Sequence, residues 1–189
     1  MPVGRDEVVT AVLAHAADLF AERGPAATSI RDIANRSGVN HGLIFRHLGT
    51  KEQLVGAVLD QLAQKMSLLL ESGASQADVE AHGERHSTVL ARAILDGFPV
   101  GELQRRFPGA ALVVGLAEKH HENQTDARIA AANALALQMG WRLFGPFLRS
   151  ATGLDDVSEK DLKTAVESCA PGLLGARSTG DEPTGTRIL

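Results

Sequence analysis

The amino-acid sequence predicts an all-α protein of about nine helices, with three short helices at the N-terminal end and a longer helical body after them. Three observations carry this expectation. Apolar residues recur at helical spacing along most of the chain, which lines one face of a helix. Helix-start signals, with Ser or Thr three positions ahead of Asp or Gln, stand at Ser29, Thr50 and Ser158. No strand-like alternation or internal repeat interrupts the pattern.

In order, Val9, Leu13, Ala16 and Phe20 give the first helix its stripe, widened by Val12 and Leu19. Arg23-Gly24-Pro25 ends it with a last-turn cation, a glycine and a proline. Ser29 and Asp32 open a short second helix, whose inner face is Ile30, Ile33 and Ala34 and whose stop is Gly38. Asn40 caps a third helix that runs to about His47. Thr50 and Gln53 then open a long fourth helix striped by Leu54, Val55, Val58, Leu62, Met66 and Leu69.

Farther on, "ADVEAHGERHSTVLARAILDG" predicts a long helix ending at Gly97, "ELQRRF" a short one, and Pro108 opens "GAALVVGLAEKHH". Residues 126 to 148 are apolar nearly all round, as in a helix buried on several sides, and Gly145-Pro146 predicts a kink or break there. Ser158 and Asp161 cap a last helix with Leu162, Ala165, Val166 and Cys169 on one face. The stretch from Gly175 has turn-formers and no apolar period. The expected division is residues 1–50, residues 51–175 and a flexible tail over 176–189.

The 189 residues include 19 basic and 23 acidic side chains, for a net charge of −4. The first 56 residues are neutral, and the remainder carries the whole deficit. No apolar run is long enough to span a membrane, and "MPVGRDEVVT" lacks the pattern of a secretory signal. A single cysteine, Cys169, excludes an internal disulfide framework and a cysteine-based zinc knuckle. A soluble, cytoplasmic protein is expected.

The stretch "SIRDIANRSGVNHGLIFRHLGTKEQL", residues 29 to 54, holds the functional signal. Its two helices are too short to stand alone, since isolated helices below about 12–15 residues are marginal in water. Ala34 is small where a second helix crosses, Gly38 supplies a tight left-handed turn, and Val39 and Ile44 pack the next helix back. This is the spacing of a helix-turn-helix, whose second helix enters the DNA major groove. With Ile44 and Leu48 inward, Asn40, His41, Leu43, Arg46 and His47 face outward or flank. Helix N-termini near Ser29, Asn40 and Thr50 offer N–H groups suited to phosphate. Lys51 sits in the first turn of its helix, where the dipole disfavours a cation and a nearby phosphate would offset that.

"GVNHGLIFRHLGTKEQL" resembles the DNA-binding signature of the TetR/AcrR family of transcriptional repressors, with "TSIRDIA" similar to that family's second helix and "FAERG" to its first. The resemblance covers roughly residues 8 to 55; beyond it only helix number and length agree. It implies an N-terminal helix-turn-helix domain and a helical ligand-binding and dimerisation domain. It implies that Arg31 reaches a base edge or nearby phosphate, that His41 and Leu43 lie toward bases, and that Phe45, His47 and Lys51 lie along the backbone. The family usually has tyrosine where Phe45 stands, an aromatic at Leu48 and often threonine at Leu43, so a phenolic bond to phosphate is missing here.

Elsewhere, His82 and His86 share a helix face at the spacing of metal ligands, but no third ligand is evident near them and solvated helix faces are the plainer reading. Trp141, Phe144 and Phe147 read as core or interface. No nucleophile elbow, phosphate-binding glycine loop or paired carboxylates support an enzyme. No metal or cofactor is expected.

The expected activity is ligand-responsive transcriptional control, most readily repression, by a homodimer on a near-palindromic operator. As the resemblance implies, residues 127–148 and 159–172 would form a four-helix interface. The expected effector wall is Leu62, Met66, Val89, Ala93, Leu112, Leu116 and Trp141, with Arg92 and Asn133 as polar contacts; each apolar member fits a plain core equally well. That lining suits an aliphatic or terpenoid-like guest. The alternative is a constitutive or architectural helix-turn-helix protein without a small-molecule site.

Overall fold

The computed structural model describes residues 4–175; the expected tail lies outside the described residues. Those residues form nine helices and no strand: α1 (Arg5–Arg23), α2 (Ile30–Ser37), α3 (His41–Leu48), α4 (Lys51–Glu71), α5 (Gln76–Leu95), α6 (Val100–Leu103), α7 (Pro108–Ala117), α8 (Gln124–Thr152) and α9 (Glu159–Leu173). None is long and apolar enough to cross a membrane.

Two compact units divide the chain after Gly109. The first therefore reaches well past the expected boundary at residue 50. The physical reason is one shared core. Leu54, Val55, Val58, Leu59 and Leu62 of α4 and Val89 and Ala93 of α5 pack with Val12, Ala16 and Phe20 of α1, Ile33 of α2 and Ile44 of α3. Burying a side chain of this size contributes about 1.5–3 kcal/mol, and that burial holds α2 and α3, each 8 residues long, in helical form.

Polar ties brace the same unit. Arg85 of α5 reaches Asp18 of α1 at 2.6 Å and the Ala14 carbonyl at 3.2 Å. Gly56 of α4 meets α6 so closely that an added Cβ would lie 2.5 Å from the Leu103 carbonyl oxygen. Asp60 Oδ1 accepts the backbone N–H groups of Arg105 and Arg106 at 2.9 and 3.1 Å. This capture explains a difference from the sequence expectation. The short helix is Val100–Leu103 with Gln104 as its cap, and the chain leaves it because the Arg105 and Arg106 N–H groups bond to Asp60 instead of continuing the helical ladder.

In the second unit, Ala117 of α7 and Ala127, Ala130 and Ala131 of α8 form a small core, with Val113, Val114 and Leu174 against it. Here α7 stops at Ala117 where the sequence suggested a run to His121. Helix α8 passes through Gly145-Pro146 without a break. A proline disfavours helical backbone in the residue before it partly through that residue's Cβ, and Gly145 has none. Nor is α8 buried on several sides within this unit. Ile129, Phe144 and Phe147 are exposed by 56%, 57% and 69%, and only alanines and Gly145 are buried. On α9, Leu162 and Val166 are half-buried and Ala165 and Cys169 exposed.

Candidate nucleic-acid interface

The interface is assembled from turns whose hydrogen bonds are local. The Ser29 hydroxyl accepts the Asp32 N–H at 3.1 Å while Asp32 Oδ2 accepts the Ser29 N–H at 2.8 Å, a closed capping box at the start of α2. Those bonds from Ser29, aided by Arg23 at 3.1 Å, hold the Asp32 carboxyl below its ordinary range. Gly38 then takes the left-handed conformation, φ 68°, which lets the chain turn sharply into α3. Asn40 Oδ1 accepts the Gly42 N–H at 2.8 Å to open α3. Thr50 and Gln53 close a second capping box at the start of α4.

With the turns fixed, α3 presents two unlike faces. Ile44 and Val39 are buried at its root, and Leu48 is half-buried. Asn40, His41, Leu43, Phe45 and Arg46 are exposed and His47 is half-buried beside them. Phe45 is 60% exposed. Gly42 is exposed between His41 and Leu43 and adds no side chain there.

Charge pairing sorts the cations. Arg36 is held by both Glu22 oxygens and Arg23 by Asp32, so these two serve the fold. Arg31 and Arg46 are exposed, and among the described residues neither is ion-paired. Lys51 is half-buried, and its ammonium donates to the Ala26 carbonyl at 3.4 Å. Burial lowers its pKa from the ordinary value, while Asp96, Glu52 and Asp32 pull the other way. Sequence reasoning missed Asp96 and the turn it touches. One signal was present: an acid at the C-terminal end of a helix, where the dipole disfavours it.

The nine residues expected to line an effector site divide between the units. Leu62, Val89 and Ala93 are buried in the core of the first, where Met66 and Arg92 are half-buried. Leu112, Leu116 and Asn133 are exposed and Trp141 half-buried in the second. His82 is buried with Nε2 2.8 Å from the Leu62 carbonyl oxygen, a bond between α5 and α4 that occupies one of its ring nitrogens. Among the described residues, no group of three or more His, Cys, Asp or Glu is placed to hold a metal.

Residues 12–58 match the model of the bacterial regulatory proteins of the tetR family. The chain is 56% identical over 174 residues, 92% of this chain and 93% of the relative, to the HTH-type transcriptional repressor Rv3405c of Mycobacterium tuberculosis. It has the same identity and coverage to the HTH-type transcriptional regulator Mb3439c of Mycobacterium bovis. To the HTH-type transcriptional repressor KstR2 of Rhodococcus jostii it is 42% identical over 77 residues, 38% of each chain.

Proposed function

The chain belongs to the TetR family of bacterial regulatory proteins, and from that premise we propose that it is a repressor that binds a near-palindromic operator as a dimer and is released by a small, largely apolar ligand. It is a DNA-binding transcriptional regulator, not an enzyme. Acting on chromosomal DNA, it would work in the cytoplasm.

One observation carries the DNA part of the reading. The exposed face of α3 includes Arg46, and Arg31 is exposed on α2, while Arg23 and Arg36 are neutralised within the fold. Arg31, His41, Leu43 and Arg46 are the groups for base edges. Ser29, Asn40, Phe45, His47 and Lys51 are the groups for the sugar-phosphate backbone. A single α3 makes few contacts, so two copies on half-sites about one helical turn apart are expected. The exposed Ile129, Phe144 and Phe147 of α8 supply apolar surface for a second copy, with Val166 of α9 at the seam.

Release by a ligand is supported by the continuity of α4, which runs for 21 residues from Lys51 at the DNA-facing end past Leu62 and Met66. A ligand shifts such a system only by preferring the non-binding arrangement. Ten- to hundredfold release needs about 1.4–2.8 kcal/mol of coupling. The buried state of Leu62, Val89 and Ala93 suits a plain core at those three positions.

The test is selection of genomic fragments on the purified full-length protein, followed by a metabolite panel scored for thermal shift and operator release. An enriched inverted repeat, lost with a stabilising metabolite, is the expected result. No enriched motif would remove the DNA reading. Stabilising ligands that leave operator affinity unchanged would favour the constitutive alternative.

A further inference from the structure

Two charged side chains stand at the unfavourable ends of their own helices. Lys51 is the first residue of α4, where the dipole disfavours a cation, and Asp96 is the C-cap of α5, where it disfavours an anion. The fold brings both to one residue of the α1–α2 turn. Asp96 Oδ2 accepts the Ala26 backbone N–H at 2.7 Å, from 70 positions away. The Lys51 ammonium donates to the carbonyl oxygen of the same Ala26 at 3.4 Å.

The turn is built to admit that carboxylate. Gly24 holds φ at +82°, and a Cβ there would lie 2.7 Å from Asp96 Oδ2, so both conformation and space call for glycine. The Thr28 hydroxyl, fully buried, donates to the Gly24 carbonyl at 2.8 Å and closes the turn from inside. The next residue is Ser29, the cap of α2. The Lys51 ammonium is pushed toward its neutral form by burial, and Asp96 leads the three carboxylates, with Glu52 and Asp32, that oppose this.

We propose that Asp96, outside the segment matched to the family model, is a positioning residue for DNA binding with two separable effects: its oxygen fixes the turn that delivers α2, and its charge holds the Lys51 ammonium back on Ala26, in competition with phosphate. The proposal rests on the DNA-binding reading above. The two effects have opposite signs. The acceptor aids binding by ordering the turn, while the charge opposes it by restraining Lys51.

The experiment uses the full-length protein, a random-sequence duplex, and NMR titration of the Lys51 side chain in the free protein. Asp96→Asn keeps an acceptor oxygen and removes the charge. It should bind duplex about two- to fivefold more tightly at low salt, the size of one unit charge acting through solvent over several ångström, with the gain fading as salt rises. Asp96→Ala removes the acceptor as well and should bind more weakly than Asp96→Asn. In a Lys51→Ala background the asparagine gain should vanish. In the free protein, Asp96→Asn should lower the Lys51 pKa, because a carboxylate that favours the ammonium has gone. An asparagine variant that melts like the wild type yet binds no more tightly overturns the proposal. So does a gain that survives without Lys51, or a Lys51 pKa that does not move. A wild-type protein that binds no duplex at any salt would sink the DNA-binding reading itself, and the Lys51 titration would then still decide whether the charges are coupled.

Discussion

Glu22 grips Arg36 with both carboxylate oxygens, Oε2 to Nη1 at 3.0 Å and Oε1 to Nη2 at 2.6 Å, and so fastens α2 to the end of α1. The Glu22 bonds, with its charge, raise the Arg36 pKa from its ordinary value. Arg31, on the same short helix, has no such partner.

The two arginines should therefore behave differently when removed. Arg36→Ala should lower the melting temperature slightly, as for an exposed ion pair, and leave the ranking of DNA sites intact. Arg31→Ala should instead blunt discrimination between sites, by about 1–3 kcal/mol where it reads a base through two hydrogen bonds. Binding curves on matched and single-substituted operators, beside thermal melts, check both. Equal effects of the two substitutions on discrimination would count against the assignment.

Lys51→Ala should weaken binding to all duplexes to a similar extent. The plot of log affinity against log salt should become shallower by about one unit, because one phosphate contact and its released counterion are lost. Anisotropy titrations across a salt series measure this. An unchanged slope would remove Lys51 from the phosphate contacts.

Acid should loosen the entry to α2. The Asp32 carboxyl is depressed below its ordinary value of 3.8, first by the backbone bond from Ser29. Glu52 is likewise depressed below 4.5, first by its own backbone N–H and then by the Thr50 hydroxyl. A depressed carboxyl stabilises the fold fully above its unfolded pKa, and that contribution disappears as pH falls through the folded pKa. The loss should begin near the ordinary values and grow below them. Melts from about pH 5 to about pH 2.5 read it, and Asp32→Asn should flatten part of the acid limb. An identical limb in that variant would show that the box does not titrate with the fold. At neutral pH, Ser29→Ala should cost about 1 kcal/mol through the lost cap.

The apolar side chains on α8 give a prediction about assembly. Phe147→Glu places a charge where an exposed ring is expected to meet a second copy, and Val166→Glu does so on α9. Each should shift a dimer toward monomer in analytical ultracentrifugation at micromolar concentration, because an anchor residue of an interface is worth about 2 kcal/mol or more. Operator affinity should fall with the dimer. Variants that stay dimeric would move the seam elsewhere.

How much was legible in the sequence follows the range of each interaction. The boxes at Ser29–Asp32 and Thr50–Gln53, the glycine turn at Gly38 and the cap at Asn40 join residues at most four apart, and each stands as read. The inward Ile44 and the outward His41, Leu43 and Arg46 followed from helical period alone. The Asp60 capture of Arg105 and Arg106 spans 45 and 46 positions, and the Asp96 bond to Ala26 spans 70. No periodicity announces such pairs. Of the kink or break expected at Gly145-Pro146, the break is absent, because the residue before the proline has no Cβ to clash with its ring. The apolar run on α8 was legible, but composition does not tell a face buried in its own chain from one left for another.

The chain has no tyrosine and one tryptophan, Trp141, half-buried on α8 in the second unit. Excited at wavelengths that only indole absorbs, its emission therefore comes from a single side chain, and the phenylalanines of the DNA-facing unit stay dark. The protein carries a built-in optical reporter for one of its two units. A shift in emission colour or lifetime during a metabolite titration senses the surroundings of α8, with no signal from α3 to subtract. Labelled duplex read in a second colour follows the first unit in the same cuvette. The order of the two signals in a stopped-flow mixing experiment would then distinguish a guest that arrives before the DNA departs from one that captures protein already released.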